Sequence, residues 1–188
     1  ELSKDSFRKN DEYRCYYCKY ELYQRLKEIA KKKDLNWVVD GTNADDLVNE
    51  DRPGMKAIEE LNIRTPLKEA ELKKEEIRKL SKVLGLETWN QASDTCLATR
   101  FSYDLEIKED KLAKLEKVEN YLRQFDFEQL RARVHDENTL RIEVLASEME
   151  KIMERKDEIV SELKKHGFNY ITLDLEGYRS GSTKEAVK

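Results

Sequence analysis

The chain has 188 residues, enough to bury one sizeable hydrophobic core or two small ones. Charged residues make up 40% of it, but 36 basic side chains nearly balance 40 acidic ones, and the formal net charge of -4 gives no global field towards nucleic acid or an anionic membrane. No stretch approaches the roughly 20 apolar residues of a membrane-spanning helix, the opening ELSKDSFRKN has no secretory core, and the three cysteines do not suggest a secreted disulfide scaffold, so the expected location is the reducing cytoplasm.

From Cys15, the positions Cys18, Leu22, Leu26 and Ile29 recur three or four apart, which predicts a helix ending in the lysines at 31–33 with both thiols on its apolar stripe, pointing inward. NWVV at 36–39 reads as a short strand, and the DGTNADD after it puts Asp40, Gly41, Asn43, Asp45 and Asp46 at that strand's carboxyl end, where open α/β sheets bind ligands. In DRPGMKAIEEL a short helix begins at Pro53, and Ile63 to Leu67 reads as a second brief strand. A longer helix over about 68–84 carries Leu72, Ile77, Leu80 and Leu84 and stops at Gly85.

Residues 87–102, with Trp89, Cys96 and Arg100, show no period and read as a long loop, a kind of segment that often carries function. A helix over about 109–123 follows, then two alternating strands, a helix over about 147–165 closed by Gly167, and a strand over 168–173. In LRARVHD, Leu130, Ala132 and Val134 share one face while Arg131, Arg133 and His135 share the other; in LRIEV, Leu140, Ile142 and Val144 oppose Arg141 and Glu143. One face is core and the other is expected to be strongly cationic, which on pattern alone is also what a solvated face with surface ion pairs to Glu143 would show. The fold class is α/β.

A Cys-x-x-Cys pair at a helix start brings two sulfurs together and favours thiolate, but the same spacing serves buried core thiols or, in a different βαβ setting, a redox pair. Cys96 lets every cysteine join one site with one coordination position vacant. Structural zinc would need a fourth ligand from His135 or His166, whereas a 4Fe-4S cluster on three thiolates would leave one iron open.

The segments RCYYCKYELY, VVDGTNADD, DRPGMKAIEEL, TPLKEAELKKEEIRKLSKVLGL, TWNQASDTCLATRFSY and DLEGYRSGS resemble, in order and over nearly the whole chain, the LarE family of ATP-dependent sulfur transferases. The resemblance implies the C-terminal part of an N-type ATP pyrophosphatase, or PP-loop, domain in residues 1–100 and a small α/β substrate-binding and oligomerisation domain in 101–188. It further implies sulfur insertion into an adenylated carboxylate of pyridinium-3,5-biscarboxylic acid mononucleotide, on the way to the nickel-pincer nucleotide, by a homo-oligomer.

On this resemblance Cys15, Cys18 and Cys96 hold a 4Fe-4S cluster that takes up sulfide at its open iron; in another branch the residue matching Cys96 gives up its own sulfur. Arg100, Arg131 and Arg133 match positions that grip the substrate phosphate, and guanidinium forks suit that task. Asp40, Thr42, Asn43 and Asp45 are expected beside ATP and magnesium. Trp89 and Tyr103 flank the Cys96 loop, and GYRSGS reads either as a phosphate-wrapping loop or as a flexible tail. The Gly-rich SGGxDS phosphate loop is absent, so these residues are expected to be the remainder of a longer enzyme and not to adenylate by themselves. Two further classes stay open: a tRNA thiolase, disfavoured by the acidic balance, and a zinc-stabilised interaction module.

Overall fold

The computed structural model describes residues 1–48, 53–91, 95–179, 181 and 182. Contacts divide the chain into two compact units, one of Glu1 and Glu12–Ser93, the other of Leu2–Asp11 and Asp94–Lys188. The helices are α1 (Asp5–Arg8), α2 (Arg14–Lys32), α3 (Pro53–Glu60), α4 (Pro66–Glu69), α5 (Lys74–Val83), α6 (Glu109–Arg123), α7 (Met149–Glu154) and α8 (Lys156–Lys165), and the strands are β1 (Leu130–Val134), β2 (Thr139–Val144) and β3 (Tyr170–Leu173). Helices and a small sheet together make the chain α/β in composition. No described helix is long and apolar enough to cross a membrane.

In the first unit α2 packs on α3, and Tyr23, Ile58 and Ile63 form the core with Leu26, Val38 and Met55 against them. The face that α2 buries differs from the stripe expected from spacing. Tyr23 and Ala30 are buried, whereas Cys15, Leu22 and Ile29 are exposed and Cys18 is only half-buried, so the thiols do not point into the core. Moving the stripe from 22 and 29 to 23 and 30 turns the helix by about 100°, one residue's rotation. Tyr23 drives that turn because its large ring fills the core while its hydroxyl finds a partner in Asp40.

The two short strands expected in this unit reduce to one parallel bridge, Val39 to Arg64. Parallel pairing is stable where both faces are covered, and here Trp37 and Val39 are 63% and 57% exposed. The helix expected over 68–84 is likewise broken into α4 and α5, with Glu71 at φ 56° between them. The DGTNADD loop occupies the break: Ala44 N–H donates to the Leu72 carbonyl at 2.9 Å, and the Asp45 carboxylate accepts the Lys74 N–H at 2.8 Å. Gly85, at φ 70°, ends α5 as its place in the sequence predicts.

In the second unit β1 runs antiparallel to β2, with Leu130 opposite Val144, Ala132 opposite Ile142 and Val134 opposite Leu140, and β2 runs parallel to β3. The connection between the parallel strands carries α7 and α8, one expected helix broken at Arg155. Helix α6 covers β1 with Leu115, Val118 and Leu122, all buried. The N-terminal arm belongs to this unit. Phe7 is buried, and Asn10 Nδ2 donates to the carbonyls of Ser102 at 2.7 Å and Leu105 at 3.1 Å.

Candidate functional site

The first unit presents its thiols on the opening turns of α2. Cys15, Cys18 and Cys96 are all free thiols. Arg14 Nη2 lies 3.8 Å from Cys15 Sγ, and Cys18 Sγ donates to Glu1 Oε1 at 3.4 Å. Helix α3 approaches this stretch closely: a Cβ on Gly54 would stand 3.1 Å from Lys19 Cδ and 3.7 Å from the Cys15 carbonyl oxygen. Beside the thiols, Tyr16 packs on Tyr17 and Tyr20 and donates to Glu60 at 2.7 Å, a bond that pushes its phenol up to about 12.

One turn further, α2 is fastened to the DGTNADD loop. Tyr23 donates to Asp40 Oδ2 at 2.5 Å, Lys19 Nζ stands 3.7 Å from the same oxygen, and Asp40 Oδ1 accepts both the Thr42 hydroxyl and the Thr42 N–H. Burial works to raise the Asp40 pKa, but the hydrogen bonds from Thr42 and Tyr23 and the charge of Lys19 win and hold it below the usual carboxylate range. Burial, followed by the bond to Asp40, pushes the Tyr23 phenol up. Further along, Asn43 Oδ1 accepts the Asp45 N–H at 2.9 Å, and Asp46 accepts the Asn43 N–H at 3.1 Å. Asp40, Thr42, Asn43 and Asp45 therefore do come together, as the acceptors and donors that shape one loop.

The second unit holds Cys96 at the mouth of a 3-10 turn, Leu97–Arg100, that is wound around its own arginine. Arg100 Nη1 donates to the Thr95 carbonyl at 2.9 Å, the Thr95 hydroxyl at 2.6 Å and the Thr99 hydroxyl at 3.1 Å, while Thr99 Oγ1 donates to the Cys96 carbonyl at 2.7 Å. The other side of the guanidinium meets Glu119 on α6 as a fork, Nε to Oε1 at 2.8 Å and Nη2 to Oε2 at 3.2 Å. Glu119 Oε1 also accepts the Ala132 N–H of β1 at 3.2 Å. Arg100 is 0% exposed and Glu119 1%, yet the Cys96 thiol that they brace stays exposed.

The face of β1 expected to be a cationic surface is buried instead, with Arg133 paired to Glu143. Arg131 and Arg133 retain only 8% and 7% of their surface, the first against the Tyr178 ring and the second beside Glu143. Arg133 donates from Nε to Glu143 Oε2 at 3.0 Å and from Nη1 to the Thr99 carbonyl at 3.1 Å, which ties β1 to the Cys96 turn. Arg131 Nη1 donates to the Leu130 carbonyl at 2.7 Å, and its guanidinium lies over the Tyr178 ring at 5.5 Å. His135, on the same side of the strand, is exposed. Arg100 and Arg133 thus meet at Thr99, and Arg131 stands opposite Glu143 in the β1–β2 register.

Within either unit, no three His, Cys, Asp or Glu side chains among the described residues come together as metal ligands. Cys15 and Cys18 belong to the first unit and Cys96 to the second. Trp89 packs under Lys82, whose Nζ is 4.3 Å from the ring, and Tyr103 is half-buried. In GYRSGS, Ser180 lies outside the described residues, and Tyr178 and Ser182 are bonded to β2.

Glu119, Tyr23 and Ser182 escape a reading by pattern. Glu119 had a usable signal: it shares the helical stripe of Leu115, Val118 and Leu122, and a carboxylate on an apolar stripe calls for a buried cation. Tyr23 and Ser182 had none, because nothing in the pattern around either marks a buried polar partner.

No family model matches the chain. Among curated proteins it is 39% identical over 189 aligned positions to an uncharacterised protein of Synechocystis, covering 100% of this chain and 70% of that protein. It is 37% identical over 176 positions to an uncharacterised protein of Methanocaldococcus jannaschii, covering 94% of this chain and 68% of the relative. It is also 34% identical over 186 positions to the pyridinium-3,5-bisthiocarboxylic acid mononucleotide synthase of Lactiplantibacillus plantarum, covering 99% of this chain and 67% of that enzyme. A match at that identity, sustained across nearly all of this chain and two thirds of the synthase, means that the chain belongs to the LarE family.

Proposed function

We propose that the chain serves an enzyme that inserts sulfur into a carboxylate of pyridinium-3,5-biscarboxylic acid mononucleotide. The observation that carries this reading is its relationship to the bisthiocarboxylic acid mononucleotide synthase along almost its whole length. The Cys96 turn supports it, since an exposed thiol braced by a buried arginine fork is a sulfur atom held in a fixed place. The first unit is proposed as part of a PP-loop domain, with Asp40, Thr42, Asn43 and Asp45 shaping the loop beside ATP and magnesium.

For the substrate phosphate the proposal rests on Arg100, Arg131 and Arg133. Arg100 also holds the Cys96 turn, through its bonds to Glu119 and Thr95. Arg133 serves both ends, because its Nη1 bond to Thr99 links the phosphate side to the thiol side.

Cys15, Cys18 and Cys96 are proposed as the ligands of a 4Fe-4S cluster. The donor chemistry fits: three free thiols, two of them three residues apart on one helix, with an arginine donor beside Cys15. Bound on three thiolates, such a cluster would supply one open iron position for sulfide. Anaerobic reconstitution should then load about four irons per chain, and replacing any one of the three cysteines by serine should abolish the loading. A folded protein that takes up no iron under those conditions ends the cluster reading.

The exposure of Cys96 favours a second reading, in which it gives its own sulfur to the substrate: its thiolate displaces AMP from the adenylated carboxylate to form a thioester, loss of the Cα proton then breaks the Cβ–S bond, and a thiocarboxylate and dehydroalanine remain. Mass spectrometry of the Cys96 peptide after a single turnover separates the two, because only this route leaves dehydroalanine.

A further inference from the structure

Residues 174–179 after β3 stay on the sheet. Asp174 N–H donates to the Ile142 carbonyl at 2.9 Å and Tyr178 N–H to the Val144 carbonyl at 2.8 Å, so the chain turns between these points and stays on the edge of β2. The turn requires glycine at 177: φ is 75°, and a Cβ would stand 2.9 Å from the Val144 oxygen and 3.3 Å from the Ala146 nitrogen. Beyond it, the Tyr178 ring lies under the Arg131 guanidinium, and Ser182, itself buried, donates from Oγ to Glu143 Oε1 at 2.8 Å.

Glu143 is fully buried, and its two oxygens divide the work. Oε2 takes Arg133, while Oε1 takes Ser182 and, at 2.9 Å, Arg141 Nη2. Arg141 is held in turn near Asp174 at 3.5 Å, and Arg179 lies at the same distance from the other Asp174 oxygen. The segment therefore touches both β1 arginines, Arg131 through an aromatic face and Arg133 through a carboxylate.

We propose that Tyr178 and Ser182 are positioning residues: the C-terminal segment is a strap that sets the angle of the Arg131 and Arg133 guanidinium groups, and thereby the affinity of the second unit for a phosphate monoester. The phosphate role rests on the reading given above, whereas the strap's hold on the arginines stands on contacts alone. A guanidinium stacked on a ring is held to one plane, and one paired to a carboxylate cannot swing away from it. Together the contacts fix two forks before any anion arrives, which removes the cost of ordering them on binding.

The test uses the full chain and two readouts. Phenylglyoxal modification, mapped by mass spectrometry, reports how tightly Arg131 and Arg133 are held, and calorimetry with pyridinium-3,5-biscarboxylic acid mononucleotide reports phosphate capture. Tyr178→Leu and Ser182→Ala should speed modification of Arg131 and Arg133 respectively and weaken binding about tenfold, the loss expected of a contact to a buried charged group. Tyr178→Phe keeps the ring and Ser182→Thr keeps the hydroxyl, so both should stay within about twofold of the parent. Ser182→Ala is the milder variant and decides the matter if Tyr178→Leu unfolds. Unchanged arginine reactivity in a folded Ser182→Ala protein overturns the strap. Faster modification with unchanged affinity in a parent that binds overturns the link to phosphate while leaving the contacts in place. A parent that does not bind the mononucleotide at all, although its strap variants still alter arginine reactivity, overturns the substrate reading instead.

Discussion

Glu119 stands where a leucine would be at home, and its charge is tolerable there only because Arg100, Arg123 and the Ala132 N–H all donate to it. Removing the carboxylate leaves the Arg100 guanidinium buried without its principal partner, a loss of about 3–5 kcal/mol in general. Glu119→Ala is thus expected to lower the unfolding midpoint of the second unit by well over 10 °C, taking about 4–8 °C per kcal/mol for a domain of this size. Arg100→Ala combined with Glu119→Ala should cost less than the sum of the two, and a thermal double-mutant cycle measures the difference. The same position shows what pattern can disclose. A carboxylate on an apolar stripe announces a buried pair but does not name the partner, because Arg100 sits 19 residues away on a turn with no period. Arg131 and Arg133 were legible as a cationic face by alternation. That Glu143 and the strap would bury them was not, since alternation orders residues within a strand and is silent about what covers it.

Asp40 works between elements, fastening α2 through Tyr23 and Lys19 to a loop that in turn fills the break between α4 and α5. Its pKa is lower folded than unfolded. Its contribution to stability is therefore fully present above the unfolded value, about 4, and is lost as pH falls through the lower folded one. Asp40→Asn should destabilise the first unit by about 1–2 kcal/mol at neutral pH. It should also flatten the acid limb of the stability curve, which chemical denaturation between neutral pH and the acid range would reveal. A variant whose acid limb matches the parent's would assign that slope to other carboxylates. At this scale the sequence was readable wherever an element declares its own end: Gly85 and Gly167 mark helix stops, and α6 falls on its predicted span. It misled where an element is defined by partners. The α2 face turned with Tyr23, and the helix over 68–84 split because loop residues supply the hydrogen bonds that one continuous helix would have made internally.

Over the whole molecule, the order of the chain is not the order of the structure. The arm Leu2–Asp11 is placed by its contacts in the second unit, more than 80 residues away in sequence. Composition and period give no hint of this, since the arm is short and charged and its one aromatic residue, Phe7, starts no apolar repeat. What holds it is specific. Phe7 is buried, Ile107 N–H donates to the Arg8 carbonyl at 2.9 Å, Asp104 N–H donates to the Asn10 carbonyl at 3.1 Å, and Asn10 Nδ2 bridges the carbonyls of Ser102 and Leu105. The segment that leads from the Cys96 turn into α6 therefore takes its backbone partners from the arm, and loosening the arm should loosen that segment. Phe7→Ala in the full chain is expected to cost the second unit about 3–5 kcal/mol, as for other buried phenylalanines. Asn10→Ala should cost less, because it removes hydrogen bonds without opening a cavity. Hydrogen exchange mapped by mass spectrometry should show faster exchange in both variants at residues 102–107, with exchange across α2 unchanged. Equal acceleration in α2 would mean that the arm stabilises the chain as one cooperative block rather than clamping the second unit.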